Sequence, residues 1–251
     1  MYVAYFSLDE NSPIAVELTK QGKILAVSEN GYITIKKGDW KIRIEKIINV
    51  PLTLQGKAKF MIQNVLAATL AGYLCEFKIE DISLALQTFV PSPTQTPGRI
   101  NIFEFKKFTI MIDFAHNPTV YLAIEDFLSF IESPRKIGII AGVGDRRDED
   151  IIACGRIAAR MFNHIIIRQE KNLGGRTEKE IIELLLKGIL STNNQTTYEI
   201  ISNESEAIKH VLAIAKEGDY IIALSDMVSD AITLVQSHYE KEKNTNNLTI
   251  S

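Results

Sequence analysis

Positive charge is not in excess in this 251-residue sequence: 28 Lys and Arg stand against 31 Asp and Glu, for a formal net charge of −3. A balance of that kind, dispersed along the chain, lacks the basic stripe that phosphate-backbone affinity requires, so no nucleic acid is expected as a partner. Cysteine is nearly absent. Cys75 and Cys154 sit alone in apolar surroundings, with neither a C-x-x-C pair nor metal-ligand spacing, which predicts two buried thiols, a reducing compartment and hence the cytoplasm. No apolar run approaches the roughly 18 to 20 residues of a membrane span. The opening MYVAYFSLDENSP carries acids after a very short apolar stretch, unlike a secretion leader. Missing too is any G-x-x-x-x-G-K-[ST] phosphate loop; the pairs Gly22-Lys23 and Gly56-Lys57 have neither the loop nor the hydroxyl residue.

What is present is a core-forming composition, 46% hydrophobic, in a length suited to one large or two medium domains. To about Val90 the pattern is mixed. YVAYFS and GKILAV read as strands, and GYITIKKGDWKIRIEKI alternates around Lys37-Gly38-Asp39 like a hairpin. Ile62, Val65, Leu66, Thr69, Leu70 and Tyr73 then recur at helical spacing, and IEDISLALQTF reads as a short helix. The prolines of VPSPTQTPGR cannot continue it, which places a domain boundary between Pro91 and Pro97.

Beyond that boundary strand and helix alternate. RINIFEF and FTIMID read as strands, followed by a helix after Pro118 with the stripe Val120, Ala123, Ile124, Phe127 and Leu128. KIGIIAG leads into a helix from Ile151 to Met161, and HIIIR into one opened by the capping-box pair Thr177 and Glu180. YEIIS precedes a helix from Ala207 to Ala215, and DYIIAL a last helix after Ser225. Apolar strands separated by amphipathic helices predict an α/β fold with a mostly parallel sheet covered on both faces. From about His238 the polar HYEKEKNTNNLTIS reads as a frayed tail.

In such a sheet, ligands gather where the carboxyl ends of strands meet helix N-termini. Two loops occupy such places. In Asp113-Phe114-Ala115-His116-Asn117, Asp113 ends its strand and can accept hydrogen bonds from a ribose; equally, Asp113 can be an edge acid, His116 a packed ring and Asn117 a helix cap. In GVGDRRDED, Gly142 and Gly144 permit a tight turn, Arg146 and Arg147 can neutralise an anion, and Asp148 to Asp150 open the next helix. Taken alone the second loop is also a solvated charge run, and without a third glycine it does not make the dinucleotide fingerprint. Arg168 and Arg176, flanking QEKNLGG, can be ordinary surface charges.

Taken together, TPGRINIFEFKKFTIMIDFAHNP, AGVGDRRDEDI and IIRQEKNLGGRTEKEI resemble the Mur ligase superfamily, most closely its cyanophycin synthetase branch. The resemblance runs from Tyr2 to about Val235 and is carried by Arg99, the D-x-A-H-N-P block and GDRRDED, less so before Phe60. It implies a central ATP-binding domain followed by a Rossmann-like C-terminal domain that closes over the nucleotide. Residues 1–96 would be an incomplete α/β piece of the central domain, 97–238 the C-terminal domain and 239–251 a polar tail. The resemblance makes Arg99 the catalytic arginine that reaches the nucleotide's phosphates, Asp113 the ribose-side acid, and His116 and Asn117 its neighbours at the nucleotide. Asn64 matches an asparagine near adenine, although the asparagine common three residues earlier is Met61 here. Asp145 and Arg146 would line the interdomain cleft on the substrate side.

The implied reaction activates a carboxylate with ATP as an acyl phosphate, which an amine attacks; in the cyanophycin synthetase branch, arginine is added to an aspartate side chain. ATP and magnesium are the implied cofactors, with the magnesium site incomplete in these residues and no residue assigned as a metal ligand. Without the phosphate loop the chain is expected to be inactive alone and to need a missing N-terminal ligase half as partner, besides ATP and an amino-acid or peptide substrate. No membrane partner is expected, and an oligomer stays open. Two alternatives stand beside this one: another Mur-type ligase, of the muramyl-peptide or folylpolyglutamate type, and a non-catalytic module that binds a nucleotide or a partner ligase.

Overall fold

The computed structural model describes residues 3–171, 173–192 and 195–248, with side chains through residue 244. The chain forms two compact units, Met1–Pro91 and Ser92–Ser251.

In the first unit, four strands, β1 (Tyr5–Ser7), β2 (Ile24–Glu29), β3 (Tyr32–Lys37) and β4 (Trp40–Lys46), lie side by side in sequence order. β1 pairs parallel with β2, and the remaining pairings are antiparallel. Asn30 and Gly31, both left-handed, make the two-residue turn between β2 and β3, as the twist of a tight hairpin favours. Helix α1 (Pro13–Lys20) starts where the Ser12 hydroxyl accepts the Ala15 N–H and Pro13 takes the first turn. The sequence pattern gave no sign of it, because only Ala15 of its eight residues is buried. Helix α2 (Lys59–Leu74) buries Met61, Ile62, Val65, Leu66, Thr69 and Leu70. That stripe, with Ile82 of α3 (Ile79–Thr88), packs on Ala26, Ile33, Ile35 and Ile44 of the sheet. Cys75, expected to be buried, is exposed just past the end of α2, where Glu76 turns left-handed; Cys154 is buried.

The second unit is a six-stranded sheet in the order β5 (Asn101–Glu104), β6 (Thr109–Asp113), β10 (Tyr220–Leu224), β7 (Lys136–Ile140), β8 (His164–Ile167), β9 (Thr197–Ile200). Only the β5–β6 pairing is antiparallel. The other five strands run parallel, and β10, last in sequence, lies between β6 and β7. Alternate residues point to opposite faces. Ile110, Ile112, Ile137, Ile139, Ile166, Ile221 and Ala223 meet α7 (Glu204–Ile214) and α8 (Val228–Leu248). The residues of opposite parity, among them Met111, Ile165, Ile167 and Ile222, are equally buried on the face left to α4 (Pro118–Ser129), α5 (Asp148–Met161) and α6 (Glu178–Leu190). Burial on both faces is what a parallel sheet with crossover helices requires. α5 and α6 approach so closely that a Cβ on Gly188 would stand 2.0 Å from the Ile152 carbonyl. The capping box forms as expected, with Glu180 accepting the Thr177 N–H and Thr177 accepting the Glu180 N–H.

The polar segment expected to fray from residue 239 instead continues α8. The Tyr239 ring packs edge-on against Phe103 and Phe105, at 5.8 and 5.3 Å between centroids, and Glu242 accepts the Lys106 N–H at 2.9 Å. One aromatic and one acid, three residues apart on a helix, give the segment an anchoring face that its composition conceals. Residues 249–251 of that segment lie outside the described residues. Among the described residues no helix is long and apolar enough to cross a membrane.

Candidate functional site

Five parallel strands bring their carboxyl ends to one edge of the second unit's sheet, and nearly every residue singled out in the sequence after Pro97 lies there. Asp113 ends β6 and is only 3% exposed. Its Oδ2 accepts the Ile100 N–H at 3.0 Å, and its carbonyl accepts the N–H of Ser225, just past β10. Burial pushes its carboxyl up to about 6, against the Ile100 N–H and the Arg99 charge, which favour the ionised form. Arg99 is exposed. Its Nη1 donates to the Phe114 carbonyl at 3.1 Å, and its guanidinium carbon lies 5.4 Å from the Phe114 ring centroid, within reach of a cation–π contact. Phe114 in turn tilts over His116, centroid to centroid 4.7 Å. Asn117 caps α4, its Oδ1 accepting the Val120 N–H, so the capping role is realised.

His116 and Arg146 meet. With Pro118, Gly142, Asp150 and Cys154 they line one small cavity, which joins the loop after β6 to the loop after β7. Burial, then the nearby Arg146 charge, holds the His116 imidazole below its ordinary range, against a backbone bond at Phe114 that favours the charged ring. Asp145 lies 3.6 Å from Arg146, both well exposed, while Arg147 is turned to Asp150 in a two-bonded pair at 3.0 Å.

Arg176 is no ordinary surface charge. It donates to the carbonyls of Gly144 and Arg146, each at 3.0 Å, and its Nη1 lies 2.7 Å from Asp148. The loop after β8 is thereby stapled to the loop after β7, backbone against backbone: a Cβ on Gly144 would stand 1.9 Å from the Leu173 carbonyl oxygen. Asn172, within that stretch, lies outside the described residues.

Sequence reasoning missed a buried ionic cluster at the same edge. Arg168, directly after β8, is 3% exposed and donates to the Leu224 carbonyl at 2.8 Å. Its Nη1 lies 3.2 Å from Glu204 and 2.5 Å from Asp226, and Ser225 donates to Glu204. Burial, then the Asp226 charge, pushes the neighbouring Glu170 up to about 7. Its local signal is a charged residue immediately after three isoleucines at the carboxyl end of a parallel strand; its partners, 36 and 58 positions later, carry no local mark.

Asn64 belongs to the first unit. It is exposed on α2, its Nδ2 3.3 Å from the Met61 sulfur, beside an apolar hollow lined by Val50, Leu52, Val65, Ala68, Leu86 and Phe89. Among the described residues no group of three or more His, Cys, Asp or Glu side chains is placed to hold a metal ion. An anion is a better fit to the second unit: Arg99 and Arg146 are exposed cations beside the start of α4.

Comparison with known proteins bears on family and fold. The family model described as Mur ligase, glutamate ligase domain matches residues 98–226. The cyanophycin synthetase of Geminocystis herdmanii is 39% identical over 237 residues, and that of Crocosphaera subtropica 41% over 233. Each alignment covers more than nine-tenths of this chain, which spans about a quarter (27%) of the length of these relatives. Among solved structures, E. coli FolC in complex with DHPP and ADP superposes with a TM-score of 0.64 at 15% identity, over 94% of this chain and 54% of that one. A murein peptide ligase of Psychrobacter arcticus superposes with a TM-score of 0.60 at 16% identity, over 95% and 46%. These likenesses are of fold. By its family match the chain belongs to the Mur ligases, with cyanophycin synthetases among its curated relatives.

Proposed function

We propose that this chain supplies the nucleotide-closing side of an ATP-dependent amide-bond ligase of the cyanophycin synthetase type, which adds arginine to an aspartate side-chain carboxylate through an acyl phosphate. The observation that carries the reading is the gathering of Arg99, His116 and Arg146 at one sheet edge, in a chain whose curated relatives bear that name. In this reading Arg99 offsets charge on the transferred phosphoryl group, an electrostatic role that needs no covalent chemistry from the protein. His116 and Asn117 border the nucleotide with it. Asn64 of the first unit stands on the adenine side. Asp145 and Arg146 flank the amine substrate, whose guanidinium suits carboxylates in two-bonded geometry.

Residues 1–96 belong, in this reading, to the central domain and 97–238 to the C-terminal domain of the family. The sequence contains no G-x-x-x-x-G-K-[ST], so the phosphates and magnesium would be held by residues outside it, on a partner ligase half. The test joins the chain to the preceding region of the Geminocystis herdmanii cyanophycin synthetase. ADP release is then measured with ATP, magnesium, arginine and an aspartate-rich acceptor. Turnover should fall by about 100-fold or more in Arg99→Ala, the scale of losing one transition-state charge partner. A chimera that turns over equally well with and without Arg99 would sink the assignment.

A further inference from the structure

Three carboxyl groups meet one guanidinium where β8 and β10 end. Nη1 of Arg168 stands 2.5 Å from Oδ1 of Asp226 and 3.2 Å from Oε2 of Glu204, and both oxygens are closed off from solvent. The guanidinium has little more to give. Its Nε and Nη2 donate to the Leu224 carbonyl at 3.3 and 2.8 Å, and Nη1 also reaches the Gln169 carbonyl at 3.4 Å. Glu170 is the third carboxyl, acted on by Asp226, Arg168, Asp145 and Glu204.

Three ionised carboxylates around this one cation would leave buried negative charge uncompensated, in a place where Arg168 is 3% and Glu204 7% exposed. Like charges crowded out of water do not all stay ionised. The contacts show where a proton goes. Glu204 and Asp226 bond to each other, side chain to side chain, and a bond between two carboxyl oxygens needs a hydrogen between them. Ser225 does not supply it, because its single O–H is given to Oε1 of Glu204. Tyr121 of α4, fully buried and acted on by Arg168 and Glu170, has its phenol held well above the ordinary range and adds no charge. Burial lifts Glu204 above its ordinary range, against the Arg168 charge and the Ser225 bond. Against burial, the Arg168 charge and then the Glu204 bond hold Asp226 below its own. The proton therefore belongs on the acid farther from the cation.

We infer that Glu204 and Asp226 share one proton in the folded protein at neutral pH, the Glu204 O–H donating to the Asp226 carboxylate, and that this proton is the catch between α7 and the loop after β10. One anion then faces one cation. The catch weakens as pH rises. Unfolded, Glu204 gives up its proton near its ordinary 4.5; folded, it keeps the proton to higher pH, so stability falls from pH 4.5 upward until the folded group ionises. Beyond that point two like charges oppose each other across the first turn of α7 and the end of β10.

The experiment follows side-chain carboxyl carbons by NMR in the full 251-residue chain. At pH 7 the Glu204 carbon should show the shift of a protonated carboxyl, and should move to the ionised position when urea unfolds the chain at the same pH. Glu204→Gln keeps a donor for Asp226, an amide N–H, and removes the titration. Its melting temperature should gain about 3 °C or more on the wild type between pH 5 and pH 8. Glu204→Ala offers no donor and should melt below Glu204→Gln at both pH values. A folded Glu204 carbon at the ionised position at pH 7 overturns the inference. So does a Glu204→Gln variant whose difference from the wild type is the same at pH 5 and pH 8, or one that melts no higher than Glu204→Ala. If neither variant folds, the wild-type carbon decides alone.

Discussion

Nη1 of Arg168 lies 2.5 Å from Oδ1 of Asp226, joining the ends of β8 and β10 beneath the loops of the site. With Glu204 also within 3.2 Å, removing this one cation would strip the counter-charge from one buried and one partly buried carboxylate. Breaking a buried pair from one side typically costs about 3–5 kcal/mol. Arg168→Met should therefore lower the urea midpoint of the second unit sharply. Arg156→Met, on the exposed side of α5, should leave it nearly unchanged.

The contact between Gly144 and Leu173 makes a second expectation. Gly144→Ala places a methyl 1.9 Å from a backbone oxygen that cannot swing aside, so the two loops must separate, at a cost of about 1–3 kcal/mol. Protease cleavage within residues 169–176 should rise in the same variant. Gly175→Ala meets no atom within 4 Å and bears only the left-handed penalty, about 1 kcal/mol, so it should be the milder change.

The α/β alternation of the second unit is legible in the sequence because each strand is a short isoleucine-rich run bounded by a patterned helix, as in KIGII before α5 and HIII before α6. The position of β10 is not legible. Its apolar run reads as one more strand, and nothing local says that Ile221 will pair with Ile110 and Ile137, 111 and 84 residues away. The candidate site divides in the same manner. Loops with unusual local composition, such as DFAHNP and GDRRDED, stand out at strand ends. The Arg168 cluster is assembled from single residues of three separate segments and stays invisible until they fold together. Tyr239 escaped notice for the same reason, its partners Phe103 and Phe105 being far away in the chain.

Asp113 should make stability depend on pH with a definite sign. A carboxyl raised from its ordinary 3.8 to about 6 is harder to ionise folded than unfolded. Above pH 6 the folded state carries the full penalty, about 3 kcal/mol, which fades as pH falls from 6 to 4 and is gone below. Asp113→Asn should accordingly melt higher than the wild type at pH 7.5, and the advantage should vanish near pH 4. Equal melting temperatures at pH 7.5 would mean that the carboxylate is far better satisfied than its single Ile100 partner suggests.

Limited proteolysis should cut between Pro91 and Pro97 and leave the C-terminal piece intact, since every parallel strand of that piece has helices to cover it. Survival of the N-terminal piece alone would contradict this.

The 251-residue chain by itself should form no ADP from ATP, magnesium, arginine and an aspartate-rich acceptor. Robust ADP formation, tracked by a coupled assay, would reveal a phosphate cradle of a kind other than the glycine-lysine loop.

The central place of β10 bears on how the second unit comes to be made. Residues 220–224 leave the ribosome after every other strand, yet they fill the gap between β6 and β7. Until they emerge, the facing edges of two apolar strands have no neighbour to bond, and the halves of the sheet can gather separately without closing. Pairings of such sequence separation are slow to form and expose sticky intermediates. The sheet is thus completed only after most of the chain has been synthesised, and a nascent chain stalled before Tyr220 would present two open edges to its neighbours.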